Sequence, residues 1–200
     1  MNPPDVFLRV AEIFYSLQGE GARQGVPSLF VRLQGCDLEC GFCDTEFESG
    51  KLMSLPELYL ALKQASPACE WIVWTGGEPT LQLTEEIVAW FKEQGFLQAI
   101  ETNGNHPVPG GLDWVAVSPK VAEHVLARNF PGGVDELRYV RHSGQPGVPA
   151  PKIQAKRKFL SPLANGNELD KANVAHVLRL ALENPEWNVS VQMHKMWRIL

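Results

Sequence analysis

Phe30-Val31-Arg32-Leu33-Gln34-Gly35-Cys36-Asp37-Leu38-Glu39-Cys40-Gly41-Phe42-Cys43 opens as an apolar, strand-like segment and runs into a loop carrying three of the chain's four cysteines, spaced C-x3-C-x2-C. Three clustered thiolates suit three irons of a 4Fe-4S cluster and leave the fourth iron without a protein ligand, open to a small molecule. A structural zinc site competes with this reading, but it wants four closed ligands. The remaining cysteine, Cys69, stands beside Glu70 with no second C-x2-C half, and neither His106 nor His124 has zinc-finger spacing. A disulfide reading leaves an odd thiol, and Met1-Asn2-Pro3-Pro4-Asp5 does not read as an apolar signal peptide.

Working outward, 200 residues with 44% apolar content can bury a substantial core, and the length suits a single domain over residues 1–200. No apolar run is long enough to span a bilayer. Eighteen basic against 23 acidic side chains give a net charge of -5, a balance that favours neither nucleic acid nor an anionic membrane as partner. The basic cluster of Lys152, Lys156, Arg157 and Lys158 reads as a solvated loop edge. Unpaired cysteines without a leader lead us to expect a cytoplasmic protein.

Short apolar runs alternate with amphipathic helical patterns, as β/α units around a parallel sheet require. After the cysteine loop, Ser54-Leu55-Pro56-Glu57 forms a capping box, and Leu55, Leu58 and Leu62 share one helical face. A strand is predicted at Trp71–Trp74. Thr84 then caps a helix bearing Ile87, Trp90 and Phe91 that stops at Gly95. Further strands are predicted at Gln98–Ile100, Trp114–Val117, Leu137–Val140, Phe159–Leu160 and Val189–Val191, with a long helix over Val174, Val177, Leu178, Ala181 and Leu182. Residues 141–151 turn to Gly, Pro and Ser and read as a loop. The count gives an α/β fold with a curled, incomplete parallel sheet, short of a closed eight-stranded barrel, and ligands of such sheets bind beyond the carboxyl ends of the strands.

Thr75-Gly76-Gly77-Glu78-Pro79 follows the Trp71 strand directly. Two glycines there allow a ligand's charged end to approach the main chain. Taken alone they would be an ordinary tight turn. Glu101-Thr102-Asn103-Gly104 and Ser118-Pro119-Lys120 end the next two strands with hydroxyl, amide and ammonium groups suited to a ribose or a carboxylate.

The cysteine spacing with Phe42, joined to Gly76-Gly77-Glu78, resembles the signature of radical S-adenosylmethionine (SAM) enzymes. The likeness narrows with Glu12-Ile-Phe-Tyr15-Ser-Leu-Gln-Gly-Glu-Gly21, Phe30-Val-Arg-Leu-Gln-Gly-Cys36, Cys43-Asp-Thr45, Thr75-Gly-Gly-Glu-Pro79, Glu101-Thr-Asn-Gly104, Ser118-Pro-Lys120 and Gln192-Met-His-Lys195. In that order they resemble the 7-carboxy-7-deazaguanine synthase family. The resemblance implies conversion of 6-carboxy-5,6,7,8-tetrahydropterin to 7-carboxy-7-deazaguanine with loss of ammonia, on the route to queuosine and other deazapurines. It implies a 4Fe-4S cluster on Cys36, Cys40 and Cys43, a magnesium ion on Thr45, and SAM. One electron delivered to the cluster would cleave SAM, hydrogen would leave the substrate carbon bearing the carboxylate, the ring would contract, and SAM would be regenerated.

Carried over residue by residue, the resemblance places the amino group of SAM at Gly76, Gly77 and Glu78 and its adenine side at Phe42 and Asp44. Asn103, Ser118, Pro119, Lys120 and His194 complete the SAM set. Leu17, Gln18 and Gly19 would line the pterin site with Arg32, Thr75 and Leu200. A guanidinium can fork a carboxylate, and a hard ion such as magnesium prefers oxygen ligands. Read without the family, Thr45 would be a helix-capping hydroxyl and Arg32 a salt-bridge partner. An electron donor such as flavodoxin or ferredoxin and a homodimeric state are also implied. Ser161-Pro162-Leu163-Ala164 departs from the Gln-Pro-x-Asp of some relatives, and residues 123–133 match no part of the pattern. Two other functions share parts of it: a small radical SAM activase of a glycyl-radical enzyme, and a non-enzymatic iron-sulfur or zinc interaction module. The Tyr15–Gly21 stretch argues against the first, and the polar strand ends against the second.

Overall fold

Parallel strands covered on both faces become continuous apolar runs, and β2 (Pro27–Leu33), which enters the cysteine loop, is buried from Ser28 to Val31 and again at Leu33. The computed structural model describes residues 3–41, 43, 49–166 and 168–199. The chain divides into two compact units, one of Met1–Ser16, Pro27–Thr102 and His106–Val115, the other of Leu17–Val26, Asn103–Asn105 and Ala116–Leu200.

In the first unit the strand order is β3 (Lys51–Ser54), β1 (Phe7–Leu17), β2, β4 (Trp71–Gly76), β5 (Leu97–Thr102). β2, β4 and β5 are parallel, with Phe30 opposite Val73 and Val73 opposite Ala99. Side chains alternate across a strand, so Phe30, Val73 and Ala99 form a row on one face, joined by Phe14, Trp71 and Trp114. The other face carries Ile72, Trp74 and Ile100, which pack against α1 (Leu55–Ala65) and α2 (Glu85–Glu93) through Leu58, Leu62, Ile87 and Phe91. Trp74 meets Phe91 edge-on at 5.3 Å between centroids, and burying side chains of this kind contributes roughly 1.5–3 kcal/mol each. Gln98 is fully buried in that apolar layer because both ends of its amide are used: Trp74 Nε1 donates to its Oε1 at 3.0 Å, and its Nε2 donates to the Val88 carbonyl at 2.8 Å.

Both helices start where the caps predict. Ser54 and Glu57 form the reciprocal capping box of α1, and Thr84 accepts from Ile87 N at the start of α2. Gly95 follows α2 with φ +86, the left-handed stop that glycine permits.

The second unit contains the end of β6 (Trp114–Val117), then β7 (Val134–Arg141), β8 (Ala155–Pro162) and β9 (Asn188–Val189), each parallel to its neighbour. Its helices are α3 (Glu123–Asn129), α4 (Lys171–Glu183) and α5 (Met193–Trp197). Leu160, Val177, Leu180 and Trp187 form its core.

Several expectations need correction. The stretch read only as a motif at Glu12–Gly21 belongs largely to the long strand β1, where Leu8 and Val10 are buried while Phe7 and Arg9 face outward. β3 pairs with β1 antiparallel, Phe7 opposite Ser54, so the sheet is not wholly parallel. The unmatched residues 123–133 hold α3. The last strand is two residues, Asn188–Val189, and not Val189–Val191; beyond it Ser190 N still donates to the Leu160 carbonyl at 3.0 Å, and Ser190 Oγ accepts from Gly21 N. Lys156, Arg157 and Lys158 lie in β8 and not in a loop, where Lys156 pairs with Asp135 at 2.6 Å and Lys158 stands 5.0 Å over the Trp187 ring.

Candidate active site

β2 ends at Leu33, and the chain turns through Gly35, at φ +90, into the cysteines. The entry is pinned to unit-one backbone: Gln34 N donates to the Arg9 carbonyl at 2.9 Å, and Gln82 Nε2 donates to the Gln34 carbonyl at 2.8 Å. Cys36 and Cys40 are half-buried and Cys43 is exposed, and none of the three is in a disulfide. Cys43 N donates to the Cys40 carbonyl at 3.0 Å, closing a tight turn.

Because β4 lies parallel to β2, its carboxyl end arrives beside this loop, with Leu33 opposite Gly76. Gly77 N then donates to the Leu33 carbonyl at 3.1 Å and Glu78 N to the Gly35 carbonyl at 2.8 Å. A Cβ at Gly76, whose φ is +132, would strike the Leu33 backbone, and one at Gly77 would strike the Gly35 carbonyl and crowd Cys36 N. These glycines are therefore demanded by close backbone approach. The glycine turn and the cysteine loop form one backbone assembly.

Glu78 is fully buried. Its Oε1 accepts from Thr80 N at 3.0 Å, Thr80 Oγ1 at 2.6 Å and Thr102 Oγ1 at 2.8 Å, which ties the turn to the end of β5. Burial pushes the Cys36 thiol above its usual range; the Leu38 amide opposes this, while Asp37, Glu78 and Cys40 add to it. Ligation requires the thiolate, so loading a metal here releases that proton. His106 Nε2 sits 2.8 Å from Asp37 Oδ2, beside the first cysteine, a contact that connects two loops of the unit and that spacing arguments missed.

Arg32 and Thr75 are register partners on neighbouring strands, and both are half-buried on the face that carries Phe30 and Val73. Arg32 Nε bonds Glu12 Oε2 at 3.1 Å, and its guanidinium lies 5.7 Å from the Phe14 ring centre. That is a cation held in place on an aromatic shelf. Cys69 is elsewhere: buried in the core, its Sγ is 3.6 Å from the Pro27 and Trp71 carbonyls.

In the second unit, Gln18 N donates to the Val26 carbonyl at 2.9 Å and Gly25 N to the Gln18 carbonyl at 2.8 Å, closing the loop that starts at half-exposed Leu17. Met193 N donates to the Gly19 carbonyl at 3.0 Å, and a Cβ on Gly19 would run into the His194 ring. Asn103 and Lys120 also meet: Lys120 N donates to the Asn103 carbonyl at 3.0 Å, and its ammonium folds back onto Ser118 Oγ at 2.7 Å across Pro119. Phe42, Asp44, Thr45 and Leu200 lie outside the described residues.

Three thiols on one short loop are the donor type an iron-sulfur cluster takes, and the backbone of the first, Cys36, lies against the Gly76-Gly77 turn. Among the described residues no group of three His, Cys, Asp or Glu side chains is gathered closely enough to hold a metal ion. Nor does any described helix have the length and apolarity to cross a membrane.

No family model matches the chain. It is 36% identical over 188 residues to 7-carboxy-7-deazaguanine synthase of Bacteroides thetaiotaomicron, covering 94% of this chain and 96% of the relative. It is 35% identical to the synthase of the same name from Haemophilus influenzae, over 94% of this chain and 92% of that one. The crystal structure of QueE from Escherichia coli superposes with a TM-score of 0.72 at 22% identity, over 93% of this chain and 94% of that chain. At that identity it speaks for the fold alone, an α/β fold in which mostly parallel strands alternate with helices. With more than a third of its residues identical over nearly the full length of the Bacteroides protein, the chain belongs to the 7-carboxy-7-deazaguanine synthase family.

Proposed function

We propose that the residues described above carry out the family's reaction, conversion of 6-carboxy-5,6,7,8-tetrahydropterin to 7-carboxy-7-deazaguanine with loss of ammonia, in queuosine and 7-deazapurine biosynthesis. The protein is a carbon-nitrogen lyase of the radical SAM class, and its cofactors are a 4Fe-4S cluster, SAM and magnesium. The observation that carries the residue assignments is the contact of the Gly76-Gly77 turn with the backbone at Gly35 and Cys36, which sets two superfamily motifs against each other.

In this reading Cys36, Cys40 and Cys43 hold the cluster. When bound, cluster and SAM supply reversible hydrogen abstraction from the substrate. Every other task is placement. Gly76 and Gly77 let the amino group of SAM reach main-chain acceptors, and buried Glu78 keeps that turn rigid through Thr80 and Thr102. Asn103, Ser118, Pro119, Lys120 and His194 hold the remainder of SAM, together with Phe42 and Asp44. Arg32, held by Glu12 and Phe14, pairs with the substrate carboxylate, and Thr75 beside it offers a hydroxyl. Leu17, Gln18, Gly19 and Leu200 read the planar pterin edge. Thr45 gives magnesium an oxygen ligand. Water kept from the reacting carbon cannot quench a radical there.

The reading extends to one radical SAM domain over residues 1–200, to a small one-electron donor such as flavodoxin or ferredoxin, to a homodimer and to a cytoplasmic setting. Exposed Met196, Trp197 and Ile199 near the end of the chain support a self-association surface.

Anaerobic incubation of the reconstituted protein with SAM, magnesium, a one-electron reductant and the carboxypterin tests the assignment. Mass spectrometry should find 7-carboxy-7-deazaguanine and ammonia. Unchanged carboxypterin in the presence of bound SAM rejects it.

A further inference from the structure

Charged side chains two residues apart on a mid-sheet strand face the same way, and on β7 these are Glu136 and Arg138, 1% and 7% exposed. Arg138 Nη1 donates to Glu136 Oε1 at 2.7 Å, and its Nε reaches Glu20 Oε2 at 3.0 Å. The second oxygen of Glu136 accepts from Ala22 N at 2.9 Å. The second oxygen of Glu20 accepts from Gln192 Nε2 at 3.2 Å. Between them sits Gly21, at φ +68, whose N donates to Ser190 Oγ at 2.9 Å and on which a Cβ would run into the Glu136 carboxylate. One guanidinium thus lies between two carboxylates, and together they grip both sides of a single turn.

Buried ion groups of this kind are poor sources of net stability, since desolvation offsets much of their attraction. Their fork geometry does fix position. The gripped turn follows immediately on Leu17, Gln18 and Gly19, and Gln18 Oε1 accepts from Glu20 N at 3.2 Å, so Glu20 is bonded to the loop on one side and to Arg138 on the other. We infer that Glu136 and Arg138 are positioning residues for the carboxypterin: through Glu20, Gly21 and Ala22 they hold the Leu17–Gly19 loop in its binding shape. This rests on the reading of that loop as the pterin site given above.

The test uses the reconstituted enzyme with Glu136→Gln, which keeps an acceptor for Ala22 N, and Arg138→Lys, which keeps the charge but loses the fork. Each should raise the Michaelis constant for the carboxypterin about tenfold, while the dissociation constant for SAM changes less than about threefold. Amide exchange at residues 19–22 should quicken. A Michaelis constant within about twofold of wild type, or equal weakening of pterin and SAM, overturns the inference. If either variant fails to fold, Glu20→Gln, which preserves the bond to Gln192, is judged by the same criteria. Failure of the wild type to turn over carboxypterin would instead reject the functional reading and with it the pterin role, and the exchange measurement would still decide whether the clamp holds the loop.

Discussion

Gly77 and Cys69 are the positions where single atoms separate the cluster reading from its rivals. A methyl group at Gly77 has nowhere to go but into the Gly35 carbonyl and the Cys36 amide. Gly77→Ala should therefore displace the turn against the cysteine loop and weaken equilibrium SAM binding at least about tenfold while the protein still folds. Unchanged affinity would return the glycines to an ordinary turn. Cys69, buried among Leu29, Leu58 and Ile72 in the first core, has a packing role that needs no metal. Cys69→Ala should keep its full iron content and lose about 1 kcal/mol of stability, whereas replacing Cys36, Cys40 or Cys43 should cost both iron and activity. Iron loss in the Cys69 variant would mean a four-thiolate site with no open iron. The spacing of the three cysteines was readable because all three lie within eight consecutive residues of one loop. The partner of Cys36's neighbour, His106 on Asp37, was not, because the contact joins positions 69 residues apart.

The helix α1 shows how far local pattern reaches. Its capping box was legible as Ser54-x-x-Glu57, and in the fold Ser54 N and Oγ both donate to Glu57 Oε2 at 2.8 Å. Those bonds, led by the one from the Ser54 backbone, hold the Glu57 carboxyl below its ordinary 4.5. A lowered folded-state value means that the stability is fully present above 4.5 and is lost as pH falls through the lowered value. Glu57→Gln should accordingly depress the unfolding temperature near neutral pH, and the difference from wild type should shrink once the carboxyl is protonated. Equal depression on both sides of that titration would show that the charge is irrelevant to the cap. Where an element depends on a distant partner, local pattern fails. β3 is four residues long, and what makes Lys51–Ser54 a strand is its register with Phe7–Val10. α3 has no side-chain cap and buries only Leu126, so it carries almost no periodic signal. The basic residues of β8 read as a loop edge because the first half of that strand is exposed, and only its second half, from Phe159, is buried.

For the molecule as a whole, the α/β class and the order of motifs along the chain were legible because each β/α unit carries its own alternation and caps. The arrangement within each unit followed from strand pairing. The parallel register of β2 and β4 is what brings Thr75-Gly76-Gly77-Glu78 beside Cys36. The clamp of Glu20, Glu136 and Arg138 was invisible beforehand, since two acids and an arginine spread over more than a hundred positions have no spacing rule. Its one sequence sign is three charges, Asp135, Glu136 and Arg138, set among the apolar residues of one strand, Val134-Asp135-Glu136-Leu137-Arg138-Tyr139-Val140. The central claim is that these elements serve a reaction in which SAM is regenerated, so that one hydrogen leaves the substrate carbon bearing the carboxylate and returns. Turnover of carboxypterin deuterated at that carbon, followed by mass analysis of the recovered SAM, tests it most directly. Deuterium should enter SAM from the substrate and not from deuterated solvent. Stoichiometric loss of SAM, with 5′-deoxyadenosine accumulating for every product formed, would contradict the account.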